Sequence, residues 1–321
     1  VLLYNQYSQL LEYSTGQGFL TDAIKSAVLR LGESLAGKAA VTREMVVVKN
    51  LVDANISFAN QQLAKEGFVT YYGVPLIAKG ELRGVLEVFS RTQHTPDDDW
   101  INFLKSLAEQ AAIAIDNTEM FENLRRSNIE LGMAYNATIE GWSRALDLRD
   151  KETEGHTLRV TEITEKLARS FSLPENQIKY IRWGALLHDI GKMGVPDGIL
   201  LKPGPLTDEE WVVMRMHPKY AFEMLAPIGY LTQAIDIPYC HHEKWDGTGY
   251  PRGLKGEEIP LSARIFAVVD IWDALSSDRP YRKAWPHEKV MDHIRSLSGT
   301  HLDPKVVDLC MSSGVFTSNQ F

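Results

Sequence analysis

Cysteine is nearly absent. The chain of 321 residues has only Cys240 and Cys310, in no metal-binding or redox spacing. A disulfide scaffold and a thiolate metal cluster are therefore disfavoured, and a reducing cytoplasm is the expected setting. No apolar run reaches the roughly 18 residues of a membrane span, and no signal peptide stands at the start. A basic excess is also missing: 34 Lys and Arg against 42 Asp and Glu leave a net charge of -8. That balance argues against a nucleic-acid polymer as partner. A small anionic ligand held by metals and a few cations stays open. There are no internal repeats and no low-complexity tracts. What remains is ordinary globular composition, 44% apolar and 24% charged, at a length that suggests two domains. Val1 falls inside a strand pattern, so the chain is expected to be a piece of a longer protein.

The first part reads as mixed α and β. Strands are expected at 1–4 and 10–14, a helix from Ile24 to Leu35 on the spacing Ile24, Val28, Leu31, Leu35, and a short helix from Ser57 to Glu66. Strand patterns at 68–72, 74–78 and 82–90 follow, the last two joined at a Lys-Gly turn as a hairpin. Thr95-Pro96-Asp97-Asp98-Asp99 then caps a helix. The hairpin Gly73-Val74-Pro75-Leu76-Ile77, turn, Gly84-Val85-Leu86-Glu87-Val88, with the helix after it, resembles a GAF domain over residues 1–118, short of the family's first helix. The resemblance implies a small-molecule sensor or a dimerisation module. It names no ligand: this part has no Cys for a bilin, and His94, in a polar loop, does not support haem.

From Trp100 to about Leu148 no proline interrupts the chain. Ile113, Met120, Leu124 and Leu131, with Asn117 in the same stripe, fit interleaved sevenfold series. A connecting helix with a coiled-coil seam over 107–135, joining two chains in a parallel homodimer, is expected. A stiff helix between two domains is also suited to transmit a rotation or register shift. From Gly141 to the end the pattern is helical, broken by Pro- and Gly-rich turns. The expected fold is an α+β N-terminal domain joined by a long helix to an all-α domain over 136–321.

Five of the nine histidines fall into an ordered series with carboxylates. Glu152 and His156 are four apart, so on a helix both face one way. His188-Asp189 end an apolar run and are followed by Gly191 and Lys192; on a helix Lys192 would share the face of His188. His217 precedes Pro218. His241-His242 open His-His-Glu-Lys-Trp-Asp-Gly-Thr-Gly-Tyr-Pro, and Asp270 lies in an apolar helix pattern. Imidazole and carboxylate suit iron, manganese and zinc. Eight such groups exceed what one ion needs, and a carboxylate such as Asp189 can bridge two. Water shared by two cations is acidified and can attack a phosphorus whose oxygens they hold.

This series resembles the HD-GYP branch of the HD phosphohydrolase superfamily. The signature is carried by His188-Asp189-Ile190-Gly191-Lys192 and by His241 through Pro251, with Ile199 to Thr207 between them similar as well. The resemblance covers about 135–315 and implies hydrolysis of the messenger cyclic di-GMP to pGpG, in many members onward to GMP; a non-catalytic cyclic di-GMP receptor or partner-docking module, and a hydrolase of another cyclic dinucleotide, are the alternatives. It implies metal ligation by His156, His188, Asp189, His217, His241, His242 and Asp270, with two or three divalent ions, iron or manganese. Glu152 matches an extra carboxylate of three-metal members. Lys192 matches a phosphate-contacting lysine that serves catalysis with Asp189. Arg279 and Arg282 match a basic pair near substrate phosphates; position 282 is often Lys in the family. Tyr250 and Gly249 belong to the loop expected to shape substrate or dock protein partners, with Tyr250 and Trp245 as candidates to stack on guanine. Asp246 and Asp273 are candidate acceptors for ligand imidazoles.

Overall fold

The computed structural model describes residues 1–51, 66–150, 155–278 and 282–316. Contacts divide the chain into two units, Val1–Glu130 and Leu131–Phe321.

The first unit is built on a six-stranded antiparallel sheet. Its strands are β1 (Leu2–Asn5), β2 (Leu10–Tyr13), β3 (Val28–Arg30), β4 (Val46–Val48), β5 (Thr70–Ala78) and β6 (Glu81–Ser90), in the spatial order β3-β2-β1-β6-β5-β4. The β5–β6 hairpin pairs Thr70 with Ser90 through to Ala78 with Glu81. Gly73 does not break β5, so one strand replaces the two expected at 68–72 and 74–78. Helix α1 (Leu35–Thr42) buries Ala36, Ala39 and Ala40 in a core with Leu2, Leu11, Leu82 and Val85. A second core packs Tyr72, Val74 and Leu76 against Leu104, Ala108 and Ala112.

The helix expected from Ile24 to Leu35 does not form. A 3-10 turn (Asp22–Ser26), strand β3 and Gly32 at a positive φ of 81° take its place. Sheet pairing of Val28 to Arg30 with Leu10 to Glu12 overrides the helical spacing, because β-branched Val and the neighbouring strand reward an extended backbone. The expected helix at 57–66 lies outside the described residues except at its end, where buried Glu66 accepts hydrogen bonds from the Leu20 and Thr21 amides.

Helix α2 runs unbroken over 53 residues, Asp98–Asp150, with Asp97 accepting from the Trp100 amide at its start. Ile113, Met120, Leu124 and Leu131 are exposed on it.

The second unit is helical: α3 (His156–Ser170), α4 (Glu175–Leu186), α5 (Asp197–Leu200), α6 (Asp208–Met214), α7 (His217–Leu225), α8 (Asp236–Cys240), α9 (Leu261–Ser276), α10 (His287–Ser296) and α11 (Pro304–Ser313). Apolar faces of α3, α4, α9, α10 and α11 meet in one core around Leu167, Phe266 and Trp272. A second core joins Ile139 of α2 with Trp183, Leu186, Leu187 and Leu225. Trp183 donates its indole N–H to Asn136 at 2.7 Å, which fixes α2 to α4. Among the described residues no helix is long and apolar enough to cross a membrane. Cys240 and Cys310 are buried and unpaired.

Candidate functional site

Helix α4 stops at Leu186, and a 3-10 segment (Ile190–Gly194) follows. His188 and Asp189 sit at this break, between the two cores, so their side chains turn inward where a continuous helix would spread them. The break is needed for close packing. A Cβ on Gly191 would collide with the His217 carbonyl oxygen and lie 2.6 Å from the Ala221 nitrogen, so only glycine lets this segment lie on α7. Lys192 therefore reaches Asp189, three residues back, at 2.7 Å, and does not extend a helical face with His188 as the sequence spacing suggested. Three residues is the period of a 3-10 turn.

Each of the other histidines stands at a helix end. His217 opens α7, followed by Pro218 in the first turn, and His241 directly follows α8. Three imidazoles point Nδ1 at backbone carbonyls: His188 at Ala185 (2.8 Å), His217 at Met214 (2.8 Å) and His241 at Ile237 (3.0 Å). A carbonyl oxygen only accepts, so each Nδ1 carries the proton, and in neutral His217 and His241 the lone pair is left on Nε2. The Nε2 atoms of His217 and His241 are 3.4 Å apart. Asp189 Oδ1 lies 3.3 Å from the first and 3.8 Å from the second. Its other oxygen, Oδ2, is 3.1 Å from His188 Nε2 and 2.7 Å from Lys192 Nζ. Asp189 thus has one oxygen facing each of two sets of groups.

Charge states follow from the surroundings. Burial, then the adjacent imidazoles, hold His241 well below the usual histidine range. Burial and His217 push His242 down to about 3, and burial lowers His217 as well. Burial alone would raise Asp189, but Lys192 and His188 outweigh it and keep the carboxyl well below the ordinary carboxylate range. The result is a buried anion beside the neutral imidazoles of His217, His241 and His242. Two lone pairs and a carboxylate oxygen facing one another in a buried space repel unless a cation lies among them. Asp189, His217, His241 and His242 each place one donor atom within 4.8 Å of the others. This donor set fits a divalent ion of intermediate hardness.

His156 and Asp270 stand on the other side. His156 Nε2 is 3.5 Å from Asp270 Oδ1, and its ring centre is 5.6 Å from that of His188. Its Nδ1 donates to buried Asp273 at 2.7 Å, as the sequence pairing of imidazole with an outer carboxylate anticipated. Arg159, which the sequence reading missed, clasps Asp273 through Nε at 2.9 Å and Nη2 at 3.1 Å. Burial alone would raise Asp273, but the bonds from His156 and Arg159 keep it lowered and ionised. His156 is the first residue of α3, after Gly155 in a left-handed conformation. Glu152 itself lies outside the described residues.

The loop after His242 folds back on the site. Glu243, only 2% exposed, accepts from the amides of Arg252 (2.7 Å) and Leu254 (3.0 Å). Gly249 is required by close approach, since a Cβ there would lie 2.5 Å from Glu243 Cα. Gly247 does adopt a positive φ, of 85°. Tyr250 stacks on His242 with ring centres 4.8 Å apart, so one face of the expected guanine platform is already used. Arg215, which carried no sequence signal, places its guanidinium 5.7 Å from the Tyr250 ring centre. Trp245 packs beside Arg264 and binds the His301 carbonyl through its amide. Asp246 does not reach a histidine; it accepts from the Thr248 amide and hydroxyl, because the tight turn at Gly247 brings them closer. Arg282 donates to the Ala274 carbonyl and lies over Trp285. Arg279 lies outside the described residues.

Residues 141–306, half of the chain, match the HD domain. The chain belongs to the HD domain family. Residues 1–116 match the GAF domain, so an HD domain follows an N-terminal GAF domain. Among curated relatives, a cyclic di-GMP phosphodiesterase of Vibrio cholerae is 40% identical over 215 residues, 62% of this chain and 44% of the relative. A 3'3'-cGAMP-specific phosphodiesterase 2 of the same species is 37% identical over 201 residues, 62% of this chain and 37% of the relative. A cyclic di-GMP phosphodiesterase of Thermotoga maritima is 46% identical over 166 residues, half of this chain and 45% of the relative. The chain thus spans under half the length of each of these relatives.

Proposed function

We propose that this HD domain protein is a metal-dependent phosphodiesterase that hydrolyses cyclic di-GMP to linear pGpG and onward to GMP. One observation carries the reading: buried Asp189 turns Oδ1 toward the imidazoles of His217 and His241 and Oδ2 toward His188 and Lys192. With Asp189 bridging, His217, His241 and His242 would hold one ion, and His188, His156 and Asp270 a second. Glu152 adds a third-ion ligand. Two or three divalent ions, iron or manganese, are the expected cofactors. Divalent ions held there supply Lewis-acid activation of phosphate oxygens and of the attacking water.

The chain's own groups do the rest. Backbone carbonyls anchor the Nδ1 atoms of His188, His217 and His241, and Asp273 anchors that of His156, so these four rings are held in place for reaction. Lys192 supplies a localised positive charge beside Asp189 for a phosphate oxygen. Arg279 and Arg282 meet the second phosphate, and Arg282 must leave the Ala274 carbonyl to do so. Tyr250 and Gly249 bound the substrate from the loop side, and that loop also suits protein partners.

The GAF domain, 1–118, regulates this activity through α2, whose 107–135 stretch pairs two chains, and a small ligand of that domain is the input. The catalytic domain spans 136–321. Two buried free cysteines suit a cytoplasmic setting.

A second substrate has specific support: the relative named for 3'3'-cGAMP is nearly as similar as those named for cyclic di-GMP. Parallel turnover of the two dinucleotides decides between them. Cyclic di-GMP is expected to be cleaved, with loss of cleavage in D189A. Preferential cleavage of 3'3'-cGAMP would transfer the assignment, and cleavage of neither would refute it.

A further inference from the structure

Lys192 is held from two directions. Beyond Asp189, its ammonium lies 3.1 Å from Asp150 Oδ2, a carboxylate whose side chain is 3% exposed. Asp150 is the last residue of α2, 42 positions earlier in the chain. The residue before it grips the same turn by its backbone. Arg149 donates from Nη1 to the Lys192 carbonyl at 3.0 Å and from Nη2 to the Val195 carbonyl at 2.8 Å. Asp197 Oδ1, 2.8 Å from Nη2, neutralises that guanidinium. Three hydrogen bonds and an ion pair thus converge on the Lys192–Asp197 stretch from one helix end.

A flexible lysine samples many rotamers and gives them up only where several groups fix it. Asp189 supplies one point of attachment for Nζ. Asp150 supplies the second point, and Arg149 fixes the backbone from which the side chain extends.

We infer that Arg149 and Asp150 are positioning residues that hold the Lys192 ammonium beside Asp189, making the C-terminal end of α2 a structural part of the site. The inference rests on the proposed role of Lys192 only for its effect on turnover.

The test uses the full metal-loaded chain and two variants, D150N and R149Q, each checked for folding by thermal unfolding. Brief acetylation with acetic anhydride is read by mass spectrometry at Lys192 against Lys283, which is 91% exposed and serves as internal standard. Lys192 is expected to label about tenfold faster in both variants, the scale of losing one charge-assisted hydrogen bond. The kcat for cyclic di-GMP should fall about tenfold while KM moves less, since a mispositioned ammonium weakens the charge-developing transition state more than ground-state binding. If D150N does not fold, R149Q decides alone. Unchanged labelling in the folded variants would overturn the inference, as would faster labelling with unchanged kcat. Faster labelling in the variants with no turnover by wild-type protein would refute the phosphodiesterase reading and leave the positioning of Lys192 supported.

Discussion

Gly191→Ala is the sharpest single perturbation of this site. The new methyl would overlap the His217 carbonyl oxygen and sit 2.6 Å from the Ala221 nitrogen and 2.8 Å from the His217 carbonyl carbon. All three are backbone atoms, so no side chain can rotate away. The 3-10 segment and the first turn of α7 must separate by about 1 Å, and overpacking that a rigid backbone cannot absorb costs about 3 kcal/mol. In a helical unit of this size that corresponds to roughly 6–12 °C in Tm. His217 moves with its carbonyl, and a displacement of about 1 Å exceeds the roughly 0.5 Å tolerance of a preorganised site. Metal affinity should then fall about 10–100-fold, the range seen when support for a ligand is lost. The assay is thermal unfolding with metal analysis of G191A, using G198A as control, because a Cβ at Gly198 meets nothing within 4 Å. A G191A protein that melts with the wild type and keeps its full metal content would refute the packing argument.

Three further outcomes are expected. Asp273→Asn can still face His156 Nδ1 but removes the anion that Arg159 and His156 share, so metal content should drop about tenfold, read by titration with a chromophoric chelator; full retention would contradict the role of Asp273. Burial pushes the Glu87 carboxyl, which accepts from the Tyr71 hydroxyl at 3.0 Å, up to about 7. A raised pKa means that the folded state holds the proton more tightly, so the contribution of Glu87 to stability is full below its ordinary value of 4.5 and is lost as pH rises through about 7. The wild type should therefore lose stability relative to E87Q across that window, and parallel melting curves would contradict it. Leu124→Lys places a charge in the proposed α2 seam and should convert a dimer to a monomer in sedimentation, whereas an L124K dimer would move the interface elsewhere.

Much of the molecule could be read from residue order alone, for identifiable reasons. The long helix was visible because 53 residues pass without a proline, and the β5–β6 hairpin because its turn and alternation are local signals. The histidine series stood out because each member sits beside a carboxylate or at a helix end. What escaped was set by tertiary contact. Ile24 to Leu35 has helical spacing but is claimed by a neighbouring strand. The 3-10 segment after Asp189 follows from the packing of Gly191 on His217, a contact 26 positions away. Arg149, Asp150 and Arg159 look like surface charges until the fold brings them to Lys192 and Asp273. Asp246 was placed near the histidines by sequence proximity, and the turn at Gly247 sends it back into its own loop.

The central claim is that the groups around Asp189 form a metal centre that cleaves a cyclic dinucleotide. Its most direct test is metal content per chain in protein purified without oxygen, followed by cyclic di-GMP turnover on the same sample. Two to three ions per chain with turnover, both lost in D189A, is the predicted result. Protein that takes up no metal even when supplied with iron or manganese would contradict the account.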